Sequence, residues 1–330
     1  MTTVVRSAPV ADTLGSTDIR LDDLEQHRRE LTGYCYRMLG SSFEAEDAVQ
    51  ETIVKAWRSI DGYEGRAALR SWLYRIATNV CLDMLRSKQR RARPMDLGPS
   101  STTATAVLST NPESTWIEPM PDARVLPEDG DPAELAAQRD TIRLAFVAAL
   151  QHLPPKQRAV LILREVLKWQ ATEVAELLDT TVQSVNSALQ RARATLASRD
   201  VRAAGAVTDD QQALVARYVE AFERYDISSL VALLREDAVM SMPPFNLWLE
   251  GPAEIAAWHL GPGIECKGSK MLATWANSAP AFGQYRVDPE GGWKPWSLQV
   301  LEIDGDRIVG LNAFVDPRHF RAFGLPDHLD

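Results

Sequence analysis

The chain has only three cysteines in 330 residues: Cys35, Cys81 and Cys266. They are far apart, odd in number and form no CxxC pair, which argues against a disulfide frame or a zinc knuckle. No metal site and no cofactor are expected. No run of roughly 18 apolar residues occurs, so no membrane span is expected. The opening MTTVVRSAPVADTLGSTDIR lacks an apolar core long enough for a signal peptide, which points to the cytoplasm. Internal repeats are absent. Proline is missing from 21–90 altogether, leaving glycines as the only breakers there. What is present is enough for packed cores, at 45% hydrophobic residues, with a formal net charge of -9.

The charge is divided along the chain. Residues 1–93 carry 15 Lys/Arg against 13 Asp/Glu, and 94–140 carry 2 against 9. Residues 141–202 carry 9 against 5, and 203–330 carry 10 against 18. The two positive segments are the ones suited to nucleic acid, with an excess too small for strong long-range attraction. Six stretches follow: a flexible N-terminus (1–20), a helical domain (21–93), an acidic Pro/Ser/Thr-rich linker (94–133), a second helical domain (134–200), a short linker (201–207) and an acidic C-terminal domain (208–330). Within the long linker, Trp116-Ile117-Glu118-Pro119 is apolar enough either to dock on something or to lie as a loop on its own domain.

In 21–93, Leu24, Leu31, Tyr34, Cys35 and Met38 fit a helical stripe. Ser41 or Ser42 can cap the next helix, with Glu44, Glu46 and Asp47 in its first turn, where the dipole favours acid. Ala48, Ile53, Ala56 and Trp57 form its inner face, leaving Asp47, Gln50, Glu51 and Lys55 outside. A third helix places Leu69, Leu73, Ile76, Val80 and Leu85 inward and Trp72, Arg75, Asn79 and Asp83 outward. It ends on Arg86, Lys88, Arg90, Arg91 and Arg93, a set that can hold a phosphate backbone or simply complement a helix C-terminus.

The run EVAELLDTTVQSVNSALQRARATL at 173–196 joins two amphipathic helices. Thr180 or Thr181 caps the second, and Asp179 stands where a helix-turn-helix normally has Gly. Val182, Val185, Leu189, Ala192 and Leu196 face inward. Gln183, Ser184, Ser187, Gln190, Arg191 and Arg193 stay outside, where amides and guanidinium groups can meet base edges and phosphates. An all-α core hairpin is the structural alternative.

The order EAEDAVQETIVKAW, LRSWLYRIATNVCLDMLR, basic end, linker, LPPKQRAVLILREV and VNSALQRAR resembles an extracytoplasmic-function (ECF) sigma factor of the sigma-70 family over about 21–200. The resemblance implies core RNA polymerase and promoter DNA as partners. It places Asp47, Gln50, Glu51 and Trp57 in the core-polymerase-binding part. Tyr63, Arg70, Trp72, Arg75, Asn79, Arg86, Lys88 and Arg90 fall in the −10-reading and melting part. Thr181, Gln183, Ser184, Ser187, Arg191 and Arg193 fall on the −35 recognition helix.

Segment 208–330 begins with two helices, striped by Tyr218, Ala221 and Phe222 and then by Leu230, Leu233 and Leu234. A strand, a short helix and four further strands follow. Turns are expected at Pro280, at Pro289–Gly292 and at Asp304-Gly305. Helices followed by a curved antiparallel sheet make an α+β plan. The order resembles the SnoaL-like fold, a cone-shaped barrel around an apolar pocket. Trp248, His259, Trp275, Tyr285, Gln299, Asn312 and Asp316 are candidate pocket residues, and a small molecule is a candidate ligand. No acid–base pair shows recognisable spacing, so the expectation is an initiation factor modulated in cis and not an enzyme. The alternative is a SnoaL-type cyclase or isomerase fused to a DNA-binding module.

Overall fold

A computed structural model of the chain describes residues 19–63, 68–86, 89–127, 129–197 and 209–330. Residues 1–18 of the N-terminal stretch, residues 64–67 before the third helix, Lys88 and the 201–207 linker therefore lie outside the described residues.

The proline-free segment folds into α1 (Leu21–Glu25), α2 (Arg28–Leu39), α3 (Ser42–Arg58) and α4 (Leu69–Leu85). Ser41 caps α3 by accepting from the Glu44 amide at 3.1 Å. Helix α2 is the centre of the domain, because every residue from Leu31 to Leu39 is buried. A helix buried all round must satisfy its polar groups internally. Tyr34 and Thr78 share a hydroxyl bond of 2.8 Å, and Arg37 reaches Thr141 Oγ1 at 2.7 Å. Burial pushes the Arg37 guanidinium down to about 10. Glycine is needed at the end of α2: Gly40 sits at φ 73°, with the Gln151 and Arg91 side chains against it.

The second helical domain comprises α5 (Pro132–Asp140), α6 (Leu144–Gln151), α7 (Pro155–Leu161), α8 (Ala171–Leu177) and α9 (Val182–Ala197). A π-turn over Ile162–Val166 follows α7. The domain packs directly on the first. Gln151 Nε2 donates to the Arg37 carbonyl at 3.3 Å, and buried Arg158 donates to the Met38 carbonyl.

The linker follows a fixed path over both neighbours. Trp116, Ile117 and Met120 are buried, and residues 115–118 bond to Ala92 and Gly40 at the end of the first domain. The apolar island thus docks on the first helical domain. Upstream, the linker lies on the C-terminal domain. Trp248 Nε1 donates to the Gly98 carbonyl at 2.9 Å, and the Thr103 amide donates to Glu254 at 2.7 Å. Asn246 and Asn111 are joined at 2.6 Å.

The C-terminal domain runs α10 (Asp209–Glu223), α11 (Ile227–Val231), β1 (Leu234–Ser241), β2 (Trp248–Glu250), α12 (Pro252–Leu260), β3 (Lys270–Ala276), β4 (Ala279–Val287), β5 (Trp293–Asp304), β6 (Arg307–Phe314) and α13 (Arg318–Ala322). The sheet order is β2-β1-β6-β5-β4-β3. Three expectations are corrected. The β1–β6 pair is parallel, and the sheet is open, with β2 and β3 as edges in place of a closed barrel. The β3–β4 turn is Asn277-Ser278, both left-handed at φ 55° and 58°, while Pro280 lies inside β4.

Strand period divides the sheet between two cores. Ala279, Ala281, Leu298, Val300 and Phe314 face the helical domains and join one continuous apolar cluster with them. Phe282, Leu301, Ile303 and Leu311 face α10 and α12 in a second cluster. The sheet is therefore buried on both sides at its centre.

Asn277 joins the parts. Its Nδ2 donates to Tyr36 Oη and to the Ile142 carbonyl, each at 2.6 Å, and its Oδ1 accepts from the Met120 amide at 2.9 Å. Asn277→Gly keeps the left-handed turn but leaves these buried partners unmatched, at about 1–3 kcal/mol for each unsatisfied group. The expected outcome is a melting temperature lowered by several degrees and faster proteolysis of the linker. Unchanged melting with unchanged linker protection would contradict the assigned role.

Candidate nucleic-acid interface and ligand cavity

Helix α3 buries Ala45, Ala48, Val49, Thr52, Ile53 and Ala56. That spacing forces Asp47, Gln50 and Glu51 to the outer side, where all three are exposed. Gln50 accepts from Arg28 at 3.3 Å, and Glu51 pairs with Lys55 at 3.3 Å. Trp57 departs from the expected inner face. It is 48% exposed, because α3 is nearing its end and the core no longer covers that side. Four neighbouring side chains, one of them a large aromatic, form an accessible face.

On α4 the predicted residues divide. Trp72 is half-buried against the Tyr63 ring at 5.1 Å. Asn79 is exposed, and Arg86 is exposed and pairs with Asp83. Arg70 is committed inside the protein: it bonds Glu30 at 2.7 Å and lies over the Tyr74 and Trp169 rings at 5.1 and 5.5 Å. Arg75 donates to the Glu176 carbonyl at 3.0 Å. Arg90 meets His152. Trp169, Glu176 and His152 all belong to the second helical domain, so three of the basic side chains are engaged across the domain boundary. Lys88 lies outside the described residues.

The helix pair α8–α9 has the predicted turn. Asp179 adopts φ 50°, replacing glycine in the left-handed region. Thr181 is the cap, accepting from the Ser184 amide at 3.1 Å. Val185, Leu189 and Ala192 are buried. Val182 is 39% exposed, because it sits at the first helical position, ahead of the packed turns. Thr181, Gln183, Ser184, Arg191 and Arg193 are exposed and Ser187 half-buried. Asn186 is exposed on the same face, a residue the sequence reading omitted. Its position three after Gln183 and four before Gln190 is the signal that marks it. Arg193 also pairs with Glu165.

In the C-terminal domain, His259, Gln299 and Asn312 line a cavity between the sheet and α10 and α12. The other predicted pocket residues lie elsewhere. Trp248 is held by the linker, and Trp275 is exposed on the rim of a groove with Asp122 and Arg139. Tyr285 is on the opposite strand face from cavity-lining Gln284 and Arg286, buried edge-on against Phe320. Asp316 caps the start of α13 through the Arg318 amide at 2.9 Å and holds the Arg318 guanidinium. That guanidinium reaches linker Glu113 at 2.6 Å and the Phe43 ring at 5.3 Å. Its hydrogen bonds to Arg318 depress the Asp316 carboxyl despite its desolvation. Asp316 is thus an interface residue. The cavity residues the reading missed, Tyr218, Trp258, Gln284, Arg286 and Trp296 among them, are scattered over helices and strands whose inner faces only the tertiary fold defines.

The geometry defines two helical modules with exposed polar faces and an α+β domain docked on both. Sigma-70 region 2 matches residues 24–91, and sigma-70 region 4 matches residues 143–196. The chain is 42% identical over 311 residues to the ECF RNA polymerase sigma factor SigG of Mycobacterium tuberculosis, covering 92% of this chain and 83% of that one. It is 26% identical over 322 residues to SigJ of the same species, covering 94% and 96%. The crystal structure of SigJ matches with a TM-score of 0.61 at 19% identity, over 93% of this chain and all of that one, which shows a common fold. The chain belongs to the ECF RNA polymerase sigma factors and carries a C-terminal SnoaL-like domain. No described helix is long and apolar enough to cross a membrane.

Two linker acids, the buried Glu118 and the half-buried Asp122, make the docked arrangement pH-dependent. Desolvation pushes Glu118 up to about 7, opposed by the Ser41 hydroxyl and by Arg91. Desolvation likewise pushes Asp122 up to about 6, opposed by the Ser278 amide. Raised carboxyl values favour the folded state most below the ordinary carboxylate range, and that contribution is lost as pH rises through 6 and 7. Melting temperature is expected to fall between about pH 5 and about pH 8, and Glu118→Gln should flatten the fall. A rise over that range in the native chain would contradict the assignment.

Proposed function

We propose that this chain directs promoter-specific initiation only together with core polymerase, in the compartment where the polymerase works. Asp47, Gln50, Glu51 and Trp57 form the polymerase-docking face. Tyr63, Arg70, Trp72, Arg75, Asn79, Arg86, Lys88 and Arg90 serve the −10 element. Thr181, Gln183, Ser184, Ser187, Arg191 and Arg193, with Asn186 added, read the −35 element. The observation that carries the residue-level reading is the capped, outward-facing polar side of α9 beside the exposed side of α3.

The same chain holds itself closed. Arg70 and Arg75 are occupied by the second helical domain, and the linker is pinned by Asn246 and Glu254 of the C-terminal domain. While the two promoter-reading modules stay in mutual contact, the exposed Arg75 stays bonded to the Glu176 carbonyl, and DNA has to compete for it. We therefore assign the C-terminal domain the role of a latch on the linker. It acts by binding and not by turnover: among the described residues lining its cavity, Glu265 is the one carboxylate, and Asp316 lies outside.

Two substitutions test the two halves. Arg191→Ala removes an exposed group and should leave melting unchanged. Run-off transcription from a cognate promoter should fall by the equivalent of about 1–3 kcal/mol. Tight footprints without polymerase and no run-off product with it would reject the sigma reading. Asn246→Ala with Glu254→Ala should loosen the linker and raise run-off in the full chain. Run-off unchanged or lowered in a folded double variant would reject the latch.

A further inference from the structure

The C-terminal cavity has a volume of about 170 Å³. An apolar cavity of roughly 150 Å³ is known to accept benzene, so this one is sized for a single aromatic ring with a small substituent. Tyr218, Phe222, Trp258, Met240 and Leu311 supply apolar wall. Its amide groups are already matched to one another. Ser297 Oγ and Gln299 Nε2 both donate to Gln284 Oε1 at 2.8 Å, and Tyr218 Oη donates to Gln299 Oε1 at 2.6 Å. His259 is kept neutral by burial, and its Nδ1 donates to the Ile255 carbonyl at 2.8 Å. These polar groups tie down the wall.

One side chain is different. Arg286 is the only Lys or Arg among the described residues lining the cavity. Its guanidinium stacks on Trp296, 3.5 Å from the ring centroid. Its Nη1 meets Glu265 at 3.1 Å and its Nη2 meets only the Cys266 sulfur at 3.2 Å, while Nε is buried without a partner. The Glu265 side chain is 77% exposed and hydrated, so an incoming anion competes with a weak pair. A stacked guanidinium with an unsatisfied donor selects a planar anion and repels a cation.

One wall residue comes from outside the domain. Leu108 lines the cavity and belongs to the linker, in a stretch fixed by the Asn246 amide to the Ser109 carbonyl at 2.9 Å and by a bridge between Thr110 and cavity residue Phe245.

We propose that the cavity binds a single-ring aromatic carboxylate, the ring among Tyr218, Phe222 and Trp258, the carboxylate on Arg286, and linker residue Leu108 as part of the wall. A ligand that uses Leu108 binds the docked linker better than the released one, and so shifts the chain toward the closed state. The consequence for transcription rests on the latch reading above; the binding does not.

Calorimetry on the full chain, without polymerase, tests the binding. Benzoate is the probe, benzamide the neutral isostere and trimethylphenylammonium the cationic one. Benzoate should bind most tightly. Arg286→Met should weaken benzoate by at least about tenfold and leave benzamide unchanged, because a charge-assisted bond is lost and the stem is retained. Leu108→Ala, on a residue 50% exposed and outside the sheet, should weaken both benzoate and benzamide. Absent benzoate binding, tighter binding of the ammonium, or an Arg286→Met protein that binds benzoate normally overturns the proposal. In run-off assays benzoate should repress the full chain and spare Leu108→Ala. Repression equal in both overturns the linker coupling, whereas failure of the latch itself would show separately in the Asn246/Glu254 double variant without any ligand.

Discussion

One carboxamide, that of Asn277, touches the first helical domain, the linker and the second helical domain from a turn of the C-terminal sheet. Its left-handed backbone is one that Asn tolerates, and the turn projects the side chain into a buried junction where each bond replaces water. Tyr36, one of its partners, passes the contact on by donating to the Glu118 carbonyl at 2.9 Å. Around that point the apolar surfaces of both helical domains and the small side chains Ala276, Ala279 and Ala281 form one cluster. Small residues let the sheet approach closely; the polar bonds at Asn277 fix where it stops.

The linker is the element all parts share. Its island at 116–120 is buried on α2, its stretch 98–111 lies on the C-terminal domain, and its Glu113 meets Arg318. The proposed closed state requires the two promoter-reading modules to separate on polymerase, so a linker held at both ends is a natural place for control. The desolvated acids Glu118 and Asp122 keep this docking short of maximal stability near neutral pH. Binding energy from polymerase then has a smaller opposing term to overcome.

Much of the local structure was legible because it depends on neighbours in sequence. The α9 cap, the left-handed Asp179 and the buried Val185, Leu189 and Ala192 follow from residues within two turns of one another. The motif order identified the family for the same reason. The cavity was not legible. Which aromatics face inward depends on strand register, so Tyr285 was expected in the pocket while its neighbours Gln284 and Arg286 line it. The parallel β1–β6 pair joins strands far apart in sequence, which no local alternation signals. Asn277 falls in a run expected to be strand, and its role was not legible because nothing local shows that two other domains cover it. Arg75 is on the outer face of α4 as its helical position requires, yet it contacts the second domain, and Arg70, assigned only through the family resemblance, does so too.

On the proposed reading, the free chain is closed around the linker and opens on polymerase. Fluorescence energy transfer between labels at the exposed positions Asp83 on α4 and Ala194 on α9 reads this directly. One short distance is expected in the free full chain and a distinctly longer one on adding core polymerase. A distance that is already long in the free chain, or one that stays short in a transcriptionally active complex, would contradict it.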